Sequence, residues 1–136
     1  MKKVMIVLVA AMLLLLVGCD NDGIYVIRER HFVNQIDNIF MNHNRYLGRT
    51  IQFEGMFGSY VNPETGAPGH YTYRYTYGCC GDDGLLGFGL VLGEINPVAD
   101  NSWVEVTGVL EEDGQFLVLN VISLIELEER GAEFVF

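Results

Sequence analysis

An adjacent pair of cysteines, Cys79 and Cys80, carries the residue types best suited to chemistry. Vicinal thiols can serve as structural cysteines or close into a strained disulfide that is easily reduced. As thiolates they could instead hold a soft or borderline metal such as zinc, with His70, Asp82 or Asp83 completing the site. A third use is thiol redox catalysis, although two neighbouring carboxylates disfavour a thiolate. All three interpretations stay open on the sequence, and Asp82 and Asp83 also suit a turn.

Four tyrosines in strict alternation form a second candidate site. Tyr71, Tyr73, Tyr75 and Tyr77 share one face of a strand, because successive side chains of a strand point to opposite faces. Such a face could stack on a sugar, a peptide or an aromatic ligand. It could equally be half-buried packing, which tyrosine also favours in strands.

Other catalytic patterns find no support in the chain. Ser59, Ser102 and Ser123 stand in no nucleophile-elbow context, and no glycine-rich phosphate loop opens a helix. We therefore expect a non-enzymatic binding or accessory module. A thiol-redox or metal-dependent enzyme that uses Cys79 and Cys80 is the alternative.

One helix and five strands must position these residues. Apolar side chains recur at helical spacing in residues 31–47 and include His43, which this period predicts to be packed; Gly48 then provides a stop. The period changes to two afterwards and predicts strands over residues 50–61, 70–77, 85–92, 102–110 and 115–128. We expect a mainly β fold with an N-terminal helix, arranged as an OB-like five-stranded small barrel. The alternative is an open α+β sheet.

The N-terminal segment has the pattern of a signal peptide that directs a protein to the membrane. Lys2 and Lys3 precede an apolar run of 14 residues, which is too short to span a bilayer and suits a signal peptide. The run ends in Leu16-Val17-Gly18-Cys19, which resembles the lipobox of bacterial lipoproteins. That resemblance implies cleavage after residue 18, acylation of Cys19 and a lipid anchor on the extracytoplasmic face of a bacterial membrane. Residues 19–23 would then be a lipidated tether, and residues 24–136 a single domain.

The charge balance narrows the choice of partners. The 136 residues carry 8 Lys and Arg against 18 Asp and Glu, a net charge of −10. Residues 1–18 hold the two lysines and no acid, so the remainder is lysine-free, with six arginines and a net charge of −12. A chain this acidic is unsuited to nucleic acid, which is bound through phosphate neutralisation. The absence of lysine after residue 18 also excludes Schiff-base chemistry there.

Several stretches together resemble one known family. They are YLGRTIQFEG at 46–55, YTYGCCGDD at 75–83, LGF at 86–88 and WVEVTG at 103–108. Their order over residues 45–110 is similar to the paired-cysteine C-terminal domain of an uncharacterised bacterial membrane protein family. That family is described as the partner of a predicted permease, so the resemblance implies a membrane protein partner and draws attention to Cys79 and Cys80. This chain differs in having a lipobox where the family has a multi-span membrane region.

Overall fold

The computed structural model describes residues 23–77 and 83–136, and the side chain of Asp83 is outside the description. These residues form a mainly β fold with one α-helix, as the sequence predicts. The elements are β1 (Tyr25–Val26), α1 (Phe32–Met41), β2 (Thr50–Val61), β3 (Pro68–Tyr77), β4 (Asp83–Val91), β5 (Trp103–Asp113), β6 (Phe116–Glu126) and β7 (Phe134–Val135). Short 3-10 turns at Glu29–His31 and His43–Arg45 flank the helix.

The five long strands are paired in a ring. Strand β2 pairs with β5, β5 with β6, β6 with β4, β4 with β3, and β3 returns to β2. The β4–β6 pairing is parallel and the other four are antiparallel. Because β3 pairs with β2, the five strands form a closed cycle and not the open sheet that was the alternative prediction.

The ring is incomplete along one part of its β2–β3 seam. Pairing between these strands runs only from Met56 opposite Tyr73 to Val61 opposite Pro68. Beyond it the strands separate, and each gains a short parallel partner: β1 beside β2, and β7 beside β3. Neither short strand was predicted, since two residues are too few to show a period.

Helix α1 packs through one face against the interior of the ring. Phe32, Ile36 and Ile39 are fully buried, as expected from their spacing. The predicted helical segment of 31–47 is too long, because the α-helix ends at Met41 and a separate 3-10 turn follows. Gly48 adopts a positive φ of 79° after that turn, and its lack of a Cβ suits the reversal into β2.

The main core fills the ring between the strands and the helix. Phe53 meets both Phe32 and Phe88 edge-on, with ring centroids 5.8 Å apart in each pair. Val106, Leu110 and the helix residues complete this apolar centre. Neither α1 nor any other helix within the described residues is long and apolar enough to cross a membrane.

Candidate functional site

A groove of about 550 Å³ lies between β4 and the β5–β6 hairpin. Gly87 and Gly89 of β4 line it, and three aromatic side chains border it: Phe40, Tyr60 and Phe116. All three rings are substantially exposed. A concave surface with apolar walls and a few polar groups is the usual form of a small-ligand site.

The glycines of β4 leave this part of the sheet without side chains. Gly89 lies opposite Tyr71 in the β3–β4 register. The Tyr71 ring, however, turns across β2, where a Cβ on Gly58 would lie 2.6 Å from its Cζ. As a result the tyrosine covers the neighbouring strand pair, and the β4 backbone is left open to the groove at Gly89.

The polar side of the groove comes from the helix end and the hairpin. His43 Nε2 lies 3.3 Å from Glu112 Oε1, and His43 Nδ1 lies 3.3 Å from the carbonyl oxygen of Phe40. Asp113 and Gln115 add further polar groups. The prediction that His43 is a packed histidine is wrong, because its side chain is 38% exposed and lines the groove. This side of the groove is acidic and suits neutral or cationic ligands.

The four alternating tyrosines lie in one continuous aromatic row. Centroid distances are 6.0 Å from Tyr60 to Tyr71, 5.0 Å from Tyr71 to Tyr73, and 5.5 Å from Tyr73 to Tyr75. Phe134 extends the row from Tyr75 to Tyr77. Tyr73 is buried, while its three partners on β3 remain partly exposed or exposed. A stacking role for the face therefore stays a prediction that could involve only those three.

Tyr73 is also a weaker acid than an ordinary tyrosine. Burial, assisted by its hydrogen bond with Tyr75, raises the pKa of the Tyr73 phenol to about 12. It packs with Met56 and Trp103 in a small cluster apart from the main core. Tyr73 therefore has a structural role at the centre of the row.

His70 and Tyr77 lie toward opposite ends of β3. Its Nδ1 is 3.1 Å from Ser59 Oγ, and its ring stacks on Phe57 at 5.4 Å. The seven residue steps from His70 to Tyr77 span roughly 23 Å at the rise of an extended strand. His70 therefore lies far from Tyr77, the last described residue before the cysteines, and its part in a site with them stays a prediction.

The cysteine site itself lies outside the described residues. Cys79, Cys80 and Asp82 belong to residues 78–82, and for Asp83 only the backbone at the start of β4 is described. Among residues 23–77 and 83–136, no cluster of three or more His, Cys, Asp or Glu could hold a metal. The proposed thiol, metal and disulfide chemistry of Cys79 and Cys80 stays a prediction.

Arg74 is the important residue that reasoning from the sequence overlooked. It is buried, with 2% of its side chain exposed. Its Nε donates to the carbonyl oxygen of Glu54 at 2.7 Å, and its NH1 donates to Glu29 Oε2 at 2.9 Å and to the carbonyl oxygen of Ala132 at 3.0 Å. Alternation along β3 puts Arg74 on the face opposite the tyrosines, and its side chain is buried because that face is the interior of the ring.

Arg74 holds three parts of the chain together across the open seam. The guanidinium carbon lies 4.9 Å from the Phe32 ring centroid and 4.8 Å from that of Trp103. Glu29 also accepts a hydrogen bond from the backbone nitrogen of Ala132 at 2.9 Å. That bond and the one from Arg74 hold the pKa of Glu29 below its ordinary value. The carboxylate therefore stays charged where it pairs with the guanidinium.

Taken together, the ring, the helix and the groove define a small mainly β domain with a preformed cleft. The chain belongs to the DUF1980 C-terminal domain family, whose model matches residues 15–132. This uncharacterised family agrees with the resemblance seen over residues 45–110. The searches of curated proteins and of solved structures each gave no match.

Proposed function

We propose that this chain is a non-enzymatic binding module whose ligand occupies the groove between β4 and the β5–β6 hairpin. The observation that carries the proposal is the backbone at Gly89, where an added Cβ would meet only Val118 Cγ1, together with the exposed aromatic rings that border the groove. Such a surface lets a ligand approach the backbone closely and contact flat rings at the same time.

The ring also supports an OB-like barrel. Its strands follow the order β2–β3–β4–β6–β5 and return to β2, so that β6 is inserted between two strands that precede it. OB barrels are five-stranded Greek-key rings that bind ligands on the face of their second and third strands, between two loops. The corresponding strands here are β3 and β4, and the groove borders β4 and the β5–β6 turn. This correspondence is an analogy of fold, and the site has to be tested directly.

The chemistry of the groove defines the class of ligand. Glu112 and Asp113 lie on its border, and the chain after residue 18 has a net charge of −12. Anionic ligands, nucleic acid among them, would be repelled. Neutral or cationic ligands with an aromatic or other flat apolar face would stack on Tyr60 or Phe116.

The same proposal includes a lipid anchor and an accessory role. The lipobox-like Leu16-Val17-Gly18-Cys19 supports cleavage after residue 18, acylation of Cys19 and attachment to the extracytoplasmic face of a bacterial membrane. The family resemblance supports an integral membrane protein, such as a permease, as a partner. In that arrangement the domain would present its groove beside the membrane protein.

An NMR titration of the full chain in detergent tests the groove. The probes are choline, maltose and the peptide Ala-Phe-Ala, which represent a cation, a sugar and a neutral aromatic peptide. We expect at least one to shift the amide signals of Gly89, Phe116 and Leu117. Phe116→Ser should weaken that binding, because it removes an exposed aromatic wall.

Ile122→Ser is the matched control, since Ile122 is an exposed apolar residue of the same strand that does not line the groove. It should bind the probe as well as the unmodified chain. The proposal is wrong if no probe shifts the groove amides, or if both variants weaken binding equally.

A further inference from the structure

A second apolar surface lies at the end of β3, where Tyr77, Leu85, Phe134 and Phe136 form what we call the β3–β7 patch. Phe136 is 87% exposed, Tyr77 57%, Leu85 55% and Phe134 37%. The Tyr77 ring lies 5.5 Å from that of Phe134 and 5.3 Å from that of Phe136, with each pair stacked. The three aromatic side chains therefore form one contiguous surface, in contrast to scattered exposed apolar residues, which are common. Leu85 lies on the neighbouring strand, opposite Tyr75 in the β3–β4 register.

We infer that the β3–β7 patch rests on a zwitterionic phospholipid bilayer and so orients the domain on its membrane. This inference rests on the proposed lipid anchor at Cys19. One acyl anchor sets the distance of a domain from the membrane and leaves its rotation free, so a second apolar contact is needed to fix the orientation.

Strand register places the patch at the same end of the ring as the start of the domain. Strand β1 runs parallel to β2 beside Ile51 and Gln52, so residue 23 lies near the beginning of β2. Because β3 is antiparallel to β2, the end of β3 lies toward that same end. Strand β7 is parallel to β3 and carries Phe134 there.

The contacts of Arg74 make this placement rigid. Its NH1 bonds both Glu29, which follows β1, and Ala132, which precedes β7. The segment that follows β1 and the segment that precedes β7 are therefore held to one buried side chain. Neither can move far without breaking that hydrogen-bonded group.

The tether is short enough to bring the patch to the lipid surface. Five steps along the chain separate Cys19 from Ile24, which limits their separation to about 17 Å. Ile24 and Val26, at the start of the domain, are also exposed and apolar. An anchored domain would therefore meet the bilayer with this end.

The chemistry of the patch favours zwitterionic lipid. Tyrosine and phenylalanine suit the membrane interface, where their rings contact acyl chains and a phenol reaches the headgroups. With six arginines against 18 acidic residues after residue 18, the chain would be repelled by anionic headgroups. Aromatic contact, and not basic charge, is therefore the means by which the domain could make a second contact with the membrane beside the anchor.

Depth-dependent fluorescence quenching tests the inference on the full lipidated chain. The protein is reconstituted in phosphatidylcholine vesicles that contain brominated phosphatidylcholine, and F136W is compared with V61W. Both positions are well exposed, and the native Trp103 is buried and common to both variants. Val61 lies at the far end of β2 from Thr50, about 36 Å away along an extended strand. We expect brominated lipid to remove the added emission of F136W and to leave that of V61W unchanged.

Two results would overturn the inference, and they are distinguishable. If Cys19→Ala remains on the vesicles as firmly as the unmodified chain, the proposed anchor is wrong and the inference falls with it. If Cys19→Ala is released but brominated lipid quenches neither variant, or quenches both equally, the anchor stands and the patch does not contact lipid. The second result would also apply if the patch were covered by protein.

Discussion

At the scale of single residues, Arg74 has a role that its charge alone would not suggest. A buried guanidinium loses its hydration, and hydrogen bonds within the protein must compensate for that free-energy cost. Three acceptors and two aromatic faces surround it. Its position at the open part of the β2–β3 seam means that those bonds connect segments that no strand pairing joins.

Removal of this side chain should therefore be costly. We expect Arg74→Ala to lower the free energy of unfolding by about 3 kcal/mol, because it leaves acceptors unpaired and a cavity between two rings. Urea unfolding followed by circular dichroism measures the change. Arg130→Ala is the control, since Arg130 forms a half-exposed ion pair with Glu133 and should cost less than about 1 kcal/mol. Equal losses in the two variants would contradict a special role for Arg74.

Glu29 gives the fold a predictable response to acid. Its pKa is lower in the folded state than in the unfolded chain, chiefly because of the hydrogen bond from Ala132 and then that from Arg74. The stability that it contributes is therefore complete above its unfolded pKa and is lost as the pH falls through its folded pKa. Urea unfolding between about pH 5 and pH 3 should show a shallower decline for Glu29→Gln than for the unmodified chain. Parallel declines would show that other carboxylates account for the acid response.

Cys79 and Cys80 require a measurement of covalent state. If they form a vicinal disulfide, the intact mass of the purified chain should rise by the mass of two hydrogens after reduction, and Cys80→Ser should abolish that rise. Native mass spectrometry of the same sample would reveal a bound metal such as zinc. A reduced pair without metal would contradict both interpretations. Turnover of a disulfide substrate that is lost in Cys79→Ser would support the enzyme alternative instead.

At the scale of the elements, the glycines of β4 differ in what they permit. A Cβ on Gly87 would collide with the carbonyl oxygen of Thr72 and lie 2.8 Å from the Cα of Tyr73. A Cβ on Gly89 would meet only Val118 Cγ1, at 3.3 Å, and a side-chain methyl can give way. Gly87 is therefore required by the close approach of β3.

The two alanine variants should separate clearly in stability. We expect Gly87→Ala to lose about 2–3 kcal/mol of unfolding free energy, since backbone atoms must move to relieve the overlap. Gly89→Ala should lose less than about 1 kcal/mol, in part because alanine also restricts the unfolded chain. Thermal and urea unfolding measure both. If Gly89→Ala is the more damaging variant, our account of the β3–β4 contact is wrong.

The regular elements were largely predictable from the sequence, and the groove was not. A strand with one buried face can be predicted from the alternation of its apolar residues, and β2 begins and ends at the predicted residues. The groove brings together Phe40, Tyr60 and Phe116, which belong to three separate elements. Their proximity depends on how the ring closes, and no pattern within a single segment of the sequence predicts it. For the same reason, alternation gives the face on which Arg74 lies but not the partners that it binds.

At the scale of the whole molecule, the aromatic row joins the two surfaces to which we assign functions. It begins at Tyr60 on the groove and continues through the alternating tyrosines to Tyr77 and Phe136 in the β3–β7 patch. All of these rings except Tyr73 retain some exposure. A domain that rests on lipid through the patch would hold its groove at a fixed position relative to the membrane.

The stability of the molecule should be uneven around the ring. Strands β5 and β6 pair along almost their full length. Strand β3 leaves β2 after Tyr73, and from there the edge that faced β2 is held by β7 and Arg74, while the other edge stays paired with β4. The amide of Tyr75 reports on this region because it donates to the carbonyl oxygen of Glu133 at 2.8 Å. We expect native-state hydrogen exchange to be faster at Tyr75 than at Leu119, which is buried in β6.

Arg74→Ala provides the decisive comparison for that unevenness. If the seam opens locally, the substitution should accelerate exchange at Tyr75 by a larger factor than at Leu119, because the latter is released only by global unfolding. A variant that accelerates both amides by the same factor would show that the ring opens only as a single cooperative unit. In that case Arg74 would stabilise the whole fold equally. It would not act locally by holding together the segments of Glu29 and Ala132.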